Sequence, residues 1–230
     1  MSTAAGPTFV HPLTAHASAH PRRVALVGTR TWSTAQLCEA VATRAQRLRD
    51  EGLAAGDVFQ FSADRGDDWI LTAAAVWWLG ATFAPAAFAP ATSATQRPTN
   101  PRSGRVEPWA WRWDDALCRL QTSGSTGAPR TIALTFGQWL VGAWGSLVRL
   151  GHLPTDRWLH VLPLHHVGGL AIVYRCLLYG TAVELAAVSD ARQTAEALLS
   201  GRCSHVSLTP RMLSGVLEVV ADQQIPNSVR

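Results

Sequence analysis

The chain has 230 residues, of which 47% are hydrophobic and 16% are charged. This apolar content is too high, and the charge too low, for a disordered protein, and the length suits one large or two small domains. The formal net charge is +4 and every basic residue is arginine, which excludes any mechanism in which these residues would have to supply a lysine amine.

The distribution of residues disfavours three further classes. The arginines form no dense basic stripe with interleaved aromatic residues, so nucleic-acid binding is not indicated. The uncharged stretch 69–96 imitates a membrane span, but Pro85 and Pro90 interrupt it, and a buried helix followed by a strand fits better. The cysteines contain no C-x-x-C pair, which argues against a disulfide framework or zinc knuckle and favours reduced thiols in a cytoplasmic protein: Cys38, Cys118, Cys176 and Cys203.

Residues 1–84 are predicted to form a first αβ segment. Ser33 and Gln36 have the spacing of a capping box, apolar residues then recur at helical spacing, and Gly52 ends the helix. A strand is predicted from Val58 to Ser62, followed by a helix with a buried face from Asp67 to Leu79.

Residues 85–113 interrupt the pattern. They include five prolines together with Thr, Ser, Asn and Gly, a composition typical of a linker or a long surface loop.

Residues 114–230 are predicted to form a second αβ segment. Strands that alternate with helices indicate an α/β fold with a largely parallel sheet. The predicted strands are 116–121, 131–134, 158–162, 182–185 and 205–208. The predicted helices are 135–150, opened by a second capping box of Thr135 and Gln138, then 168–178, 190–199 and one after Pro210.

Residues 122–130 read TSGSTGAPR and lie between two predicted strands. Gly124 and Gly127 allow backbone conformations in which successive N–H groups point at an anion. Further donors come from Thr122, Ser123, Ser125 and Thr126, and Arg130 adds a cation suited to phosphate. The loop therefore predicts phosphate binding, with an ordinary Ser/Gly-rich hairpin loop as the alternative.

Two other motifs with small residues are excluded at this loop. A Walker loop would end in Gly-Lys-Ser/Thr, and a serine-hydrolase turn would read G-x-S-x-G. Neither pattern is present.

The loop resembles the signature of the adenylate-forming superfamily of AMP-dependent synthetases and ligases, with Arg130 in place of the usual lysine. The resemblance is collinear along the chain, in segments that read RTWSTAQL at 30–37, EGLAAGDVF at 51–59, WWLGATFAPA at 77–86, LPLHHVGGL at 162–170 and HVSLTPRML at 205–213. Order and spacing look most similar to the o-succinylbenzoate–CoA ligases of menaquinone synthesis.

The resemblance implies a layered αβ fold and a reaction. ATP and a carboxylate would form an acyl-adenylate and pyrophosphate, with Mg²⁺ on the phosphates, before the acyl group passes to CoA. It implies that residues 122–127 hold the β- and γ-phosphates and that Arg130 follows the departing pyrophosphate. It also implies that His166 lies beside the acyl carboxylate, with Gly168 and Gly169 allowing close approach.

Two other readings of the histidines stay open. His166 before a Gly-Gly helix start could be a structural residue. A zinc site could form in three dimensions from His160, His165, His166, Cys203 and His205, although their spacing is not that of a zinc motif.

The sequence departs from the family pattern after the last of these segments. The expected adenine, ribose and hinge motifs and the small C-terminal domain with its catalytic lysine are absent from the 230 residues. We therefore expect only the N-terminal portion of such a ligase, without carboxylate-dependent ATP–pyrophosphate exchange of its own. A second chain could supply the C-terminal half. The alternatives are a non-catalytic nucleotide- or acyl-binding module and a decaying gene product.

Overall fold

The computed structural model describes residues 8–62, 64–85, 104, 106–122, 130–186 and 190–230. Helices and strands alternate along these ranges. The helices are α1 (Pro12–Ala19), α2 (Thr34–Asp50), α3 (Asp67–Trp78), α4 (Phe136–Leu150), α5 (Val167–Tyr179), α6 (Ala191–Leu199) and α7 (Pro210–Val220). The strands are β1 (Phe9–Val10), β2 (Val24–Val27), β3 (Thr31–Ser33), β4 (Val58–Phe61), β5 (Thr82–Pro85), β6 (Ala110–Trp111), β7 (Ala116–Thr122), β8 (Arg130–Thr135), β9 (Arg157–His160), β10 (Ala182–Leu185) and β11 (His205–Val206).

Both predicted capping boxes are confirmed. The Ser33 hydroxyl accepts a hydrogen bond from the amide of Gln36, whose side chain accepts one from the amide of Ser33. Thr135 and Gln138 make the same pair of bonds at the start of α4. Each box satisfies two amides, and the helices begin where the sequence predicts because these bonds are local.

The strands form two larger sheets and a two-stranded pair. The five-stranded sheet has the order β11-β9-β10-β2-β3, with parallel neighbours except for β2 and β3. The four-stranded sheet has the order β4-β5-β7-β8, with parallel neighbours except for β7 and β8. The predicted α/β architecture is confirmed, and the antiparallel neighbours in both sheets are strands that follow each other in the chain.

Each larger sheet takes strands from both sides of the proline-rich segment. In the five-stranded sheet β2 pairs with β10, and in the four-stranded sheet β5 pairs with β7. The division into segments at residues 84 and 114 stays a prediction. The two segments share both sheets.

The end of the proline-rich segment packs on the core. Val106 and Trp111 are buried, β6 pairs with β1, and the Trp111 indole N–H donates to the carbonyl oxygen of Trp77 at 3.1 Å. The sequence does not predict these contacts, because isolated apolar residues among prolines show neither helical nor strand periodicity. Residues 86–103 and 105 of the segment lie outside the described ranges.

Helix α3 occupies the centre of the core. Every residue from Trp69 to Trp78 is buried, as expected for a helix that is apolar on all sides. The rings of Trp69 and Trp77 contact Phe83 edge-on, and Trp77 also meets Tyr174 of α5. The uncharged stretch therefore begins as a buried helix, as predicted, and within the described ranges no helix has the length and apolarity to cross a membrane.

Candidate functional site

The predicted phosphate loop is the segment that joins β7 to β8. Thr122, the last residue of β7, pairs in register with Arg130, the first residue of β8. Arg130 is exposed at this position. Ser123, Gly124, Ser125, Thr126 and Gly127 lie outside the described residues, so the structure gives the two ends of the loop and the strands that hold them.

His166 lies directly before α5 and is exposed. It is the N-cap residue of the helix, but its side chain makes no capping hydrogen bond. The His165 and His166 rings are 4.4 Å apart between centroids. Burial, and then the nearby His166, lower the pKa of His165.

Gly168 and Gly169 allow close packing within the chain itself. A Cβ atom at Gly169 would lie 2.1 Å from the carbonyl oxygen of Pro163, and one at Gly168 would lie 3.2 Å from Leu162 Cδ1. The start of α5 therefore requires a glycine at position 169, independently of any ligand. The predicted approach of a substrate to these two glycines stays a prediction.

Arg65 and His160 hold the segment that carries His166, and no motif in the sequence points to either residue in this role. One Arg65 nitrogen donates to the Leu162 carbonyl oxygen at 2.8 Å, while another bonds His160 Nδ1 at 2.7 Å and the His160 carbonyl oxygen. His160 Nε2 lies 2.9 Å from the carbonyl oxygen of Gly169. Burial, followed by the charge of Arg65, lowers the pKa of His160 to about 4, so the ring is neutral at pH 7.

These contacts also bear on the residues of the zinc alternative. Both ring nitrogens of His160 are engaged, one by Arg65 and one by Gly169. Over the part of the chain that the structure describes, no group of three or more His, Cys, Asp or Glu side chains could hold a metal ion.

A cavity of about 210 Å³ lies between α4 and α5. Val167, directly after His166, is one of its lining residues, and its wall is mostly apolar. The lining residues are Leu134 of β8, then Gln138, Trp139, Gly142 and Ala143 of α4, and Val167, Ala171, Tyr174 and Arg175 of α5. The cavity therefore connects the strand that starts at Arg130 with the helix that starts after His166.

Arg175 places a cation in this apolar wall. Its Nη1 donates to Ser146 Oγ at 3.1 Å, and its Cζ lies 4.4 Å from the centre of the Trp158 ring. Burial lowers the pKa of Arg175. Within the described ranges it forms no ion pair with a carboxylate, and its Nε and the Tyr174 hydroxyl are buried without a hydrogen-bond partner. The signal for Arg175 in the sequence is that it is the one charged residue in VGGLAIVYRCLLY.

A family model described as AMP-binding enzyme matches residues 87–230, which is more than half of the chain. The chain belongs to this AMP-binding enzyme family. The matched residues include the predicted phosphate loop, His166 and both helices of the cavity. The predicted membership of an adenylate-forming family is confirmed.

The curated relatives of this chain include 2-succinylbenzoate–CoA ligases from several Bacillus strains. That of Bacillus mycoides (strain KBAB4) is 33% identical over 117 residues, which are 51% of this chain and 24% of the relative. That of Bacillus velezensis is 34% identical over 129 residues, which are 56% of this chain and 26% of the relative. The aligned part therefore amounts to about a quarter of the length of these relatives.

Solved structures confirm the fold. The o-succinylbenzoate CoA synthetase of Bacillus subtilis, in complex with an acyl-adenylate intermediate, superposes with a TM-score of 0.82 at 22% identity, over 97% of this chain and 67% of that chain. The same synthetase with ATP and magnesium ion gives 0.81 at 21% identity, over 97% and 54%. A putative long-chain-fatty-acid CoA ligase from Rhodopseudomonas palustris gives 0.82 at 18% identity, over 97% and 68%.

Proposed function

We propose that this chain binds ATP and a carboxylic acid as part of an AMP-forming acid–CoA ligase, and that the acid is 2-succinylbenzoate or a close analogue. Its family membership and its similarity to ligases of that name support the reaction class. The observation that carries the choice of acid is the cavity between α4 and α5, which is mostly apolar but is lined by the half-buried cation of Arg175.

The spacing of Val167 and Arg175 along α5 supports an acid with two carboxylates. Val167 and Arg175 are eight residues apart on α5, so their Cα atoms are separated by about 12 Å along the helix axis. An aromatic ring in the cavity would bring a ring carboxylate to Arg175, while a carboxylate on a short side chain would extend towards His166. Arg175 suits this role because a guanidinium binds a carboxylate through paired N–H donors.

ATP would bind at the β7–β8 hairpin. We propose that the phosphates bind to Thr122 and Arg130, which flank the segment between β7 and β8, and to Ser123, Gly124, Ser125, Thr126 and Gly127 within it. Mg²⁺ would reduce the negative charge of the triphosphate. The acid carboxylate is itself the nucleophile, so His166 orients it and no covalent enzyme intermediate is required. CoA would then take the acyl group.

The aligned part covers about a quarter of the length of the curated relatives, so we propose that turnover needs further parts of the family fold, in the same chain or in a second one. These 230 residues by themselves would bind ligands without catalysing ATP–pyrophosphate exchange. The same binding without exchange in any larger assembly would favour the non-catalytic binding module instead.

The test is calorimetric titration of the 230-residue chain with 2-succinylbenzoate and with 4-oxo-4-phenylbutanoate, which has the same skeleton without the ring carboxylate. Arg175→Gln should weaken binding of 2-succinylbenzoate by roughly 10- to 100-fold, because a hydrogen bond to a charged group contributes about 1.5–3 kcal/mol. Binding of the analogue should change little.

Arg149→Gln is the matched control, since it removes the same charge from an exposed position at the end of α4. It should leave both affinities within about twofold of the unmodified chain, because exposed charges are screened by solvent. No measurable binding of either acid, or an equal loss in the two variants, would contradict the proposed function.

A further inference from the structure

Trp158 of β9 lies beneath Arg175. The indole is buried, and the guanidinium carbon lies 4.4 Å from the ring centre, within the range of a cation–π contact. The only hydrogen bond of the guanidinium to a described residue is the one to Ser146 Oγ. Arg175 is thus held by an aromatic face and a neutral hydroxyl.

The Trp158 ring is itself fixed. The His205 ring stacks on it with centroids 4.9 Å apart and an angle of 26° between the planes. The two residues are also register partners in the parallel pairing of β11 with β9. A ring held by both its backbone and a stacked neighbour provides a constant surface for the guanidinium.

This way of holding a cation has a chemical consequence. A carboxylate partner would neutralise Arg175 and compete with an acidic ligand for its N–H groups. An aromatic face and a hydroxyl orient the guanidinium but leave its positive charge uncompensated. Arg175 can therefore be rigid and still attract an anion.

We propose that Trp158, together with Ser146, is a specificity-determining positioning pair: they hold Arg175 at the cavity wall so that the chain distinguishes acids with a second carboxylate from acids without one. Trp158 and Ser146 do not line the cavity, so they act through Arg175 and touch no ligand. The inference rests on the proposed function, in which Arg175 meets the ring carboxylate.

The experiment compares two affinities in each variant, for 2-succinylbenzoate and for 4-oxo-4-phenylbutanoate, by calorimetry on the 230-residue chain. Trp158→Met removes the aromatic face and should lower the ratio of the two affinities by roughly tenfold, the order expected for a desolvated cation–π contact. Trp158→Phe keeps a ring and should recover most of the ratio. Ser146→Ala should lower the ratio in the same direction with little loss of packing, and it decides the matter if Trp158→Met does not fold.

Each variant is repeated in the Arg175→Gln background, where none of them should change the ratio further. The inference is overturned if Trp158→Met weakens both acids equally, if Ser146→Ala leaves the ratio unchanged, or if either variant still lowers the ratio without Arg175. If Arg175→Gln itself leaves the ratio unchanged, the proposed function fails instead, so the two failures are distinguishable.

Discussion

At the scale of single residues, Arg130 connects the fold to the predicted phosphate site. It is the first residue of β8, exposed, and paired in register with Thr122. This position places its guanidinium next to the segment 122–127, which we propose to hold the phosphates.

We expect Arg130→Ala to weaken binding of ATP or pyrophosphate by roughly tenfold, because it removes a charge-assisted hydrogen bond. Arg149→Ala, on the exposed end of α4, should have a much smaller effect. Titration of both variants with each ligand is the measurement. Equal losses would mean that Arg130 acts only through net charge and would count against its assignment to the loop.

Some residues of the candidate site can be identified from the sequence and others cannot. The loop and His166 are found from motifs, because each is a short contiguous pattern. Arg175, Trp158 and Arg65 are not, because their contacts join residues far apart in the chain, such as Arg65 and His160. A charge inside an apolar helix signals only that a partner exists, and the partner has to be identified from the fold.

At the scale of elements, the two exposed glycines of α4 separate cavity shape from helix stability. Gly142 lines the cavity and Gly145 does not, and a Cβ atom at either would meet nothing within 4 Å. A larger side chain is therefore tolerated sterically at both positions. Only at position 142 would it occupy the space of a ligand.

Gly142→Leu should abolish or strongly weaken binding of 2-succinylbenzoate, whereas Gly145→Leu should leave it within about twofold. Both variants should unfold at the same or higher denaturant concentration than the unmodified chain, since leucine is favoured over glycine in a helix by up to about 1 kcal/mol. Calorimetry and urea unfolding measure the two properties. Similar binding in the two variants would rule out the α4–α5 cavity as the ligand site.

Elements with local determinants were predicted best. Helices α2 and α4 begin at their capping boxes, and Gly52 follows the end of α2 with a φ of +104°, which favours glycine. Helix α1 and the strands β1, β2, β3 and β6 were not predicted. They are short, and β1 and β6 have two residues each and exist because they pair with each other across the chain. Short apolar runs have no period of their own.

At the scale of the whole molecule, two buried histidines couple stability to pH. Burial lowers the pKa of both His11 and His160 from 6.5 to about 4. His11 caps α1, where its Nδ1 accepts from the amide of Leu13, and His160 lies at the end of β9. The neutral rings fit the folded protein, whereas the unfolded chain takes up protons near pH 6.5.

The contribution of the two histidines to the free energy of unfolding should therefore be constant above pH 6.5. It should fall as the pH decreases from 6.5 to 4, by on the order of 3 kcal/mol for each histidine. Urea unfolding at several pH values in this window measures the slope. His11→Asn keeps a good helix cap without a titrating ring and should reduce the slope by about half. A slope that this variant leaves unchanged would contradict the role of His11. Asp67 and Asp156, whose pKa values are lowered from 3.8, contribute at more acidic pH.

The mixing of strands from both sides of the proline-rich segment also constrains how the nascent chain can fold on the ribosome. Leu26 of β2 pairs with Val183 of β10. The parallel neighbour of the β2–β3 hairpin is therefore synthesised only after most of the polypeptide. Until then the edge of the hairpin stays unpaired, and a chaperone can bind there. Neither segment contains all the strands of a sheet. Translation that stops before β10 would therefore yield no independently folded half, and the two segments fold together.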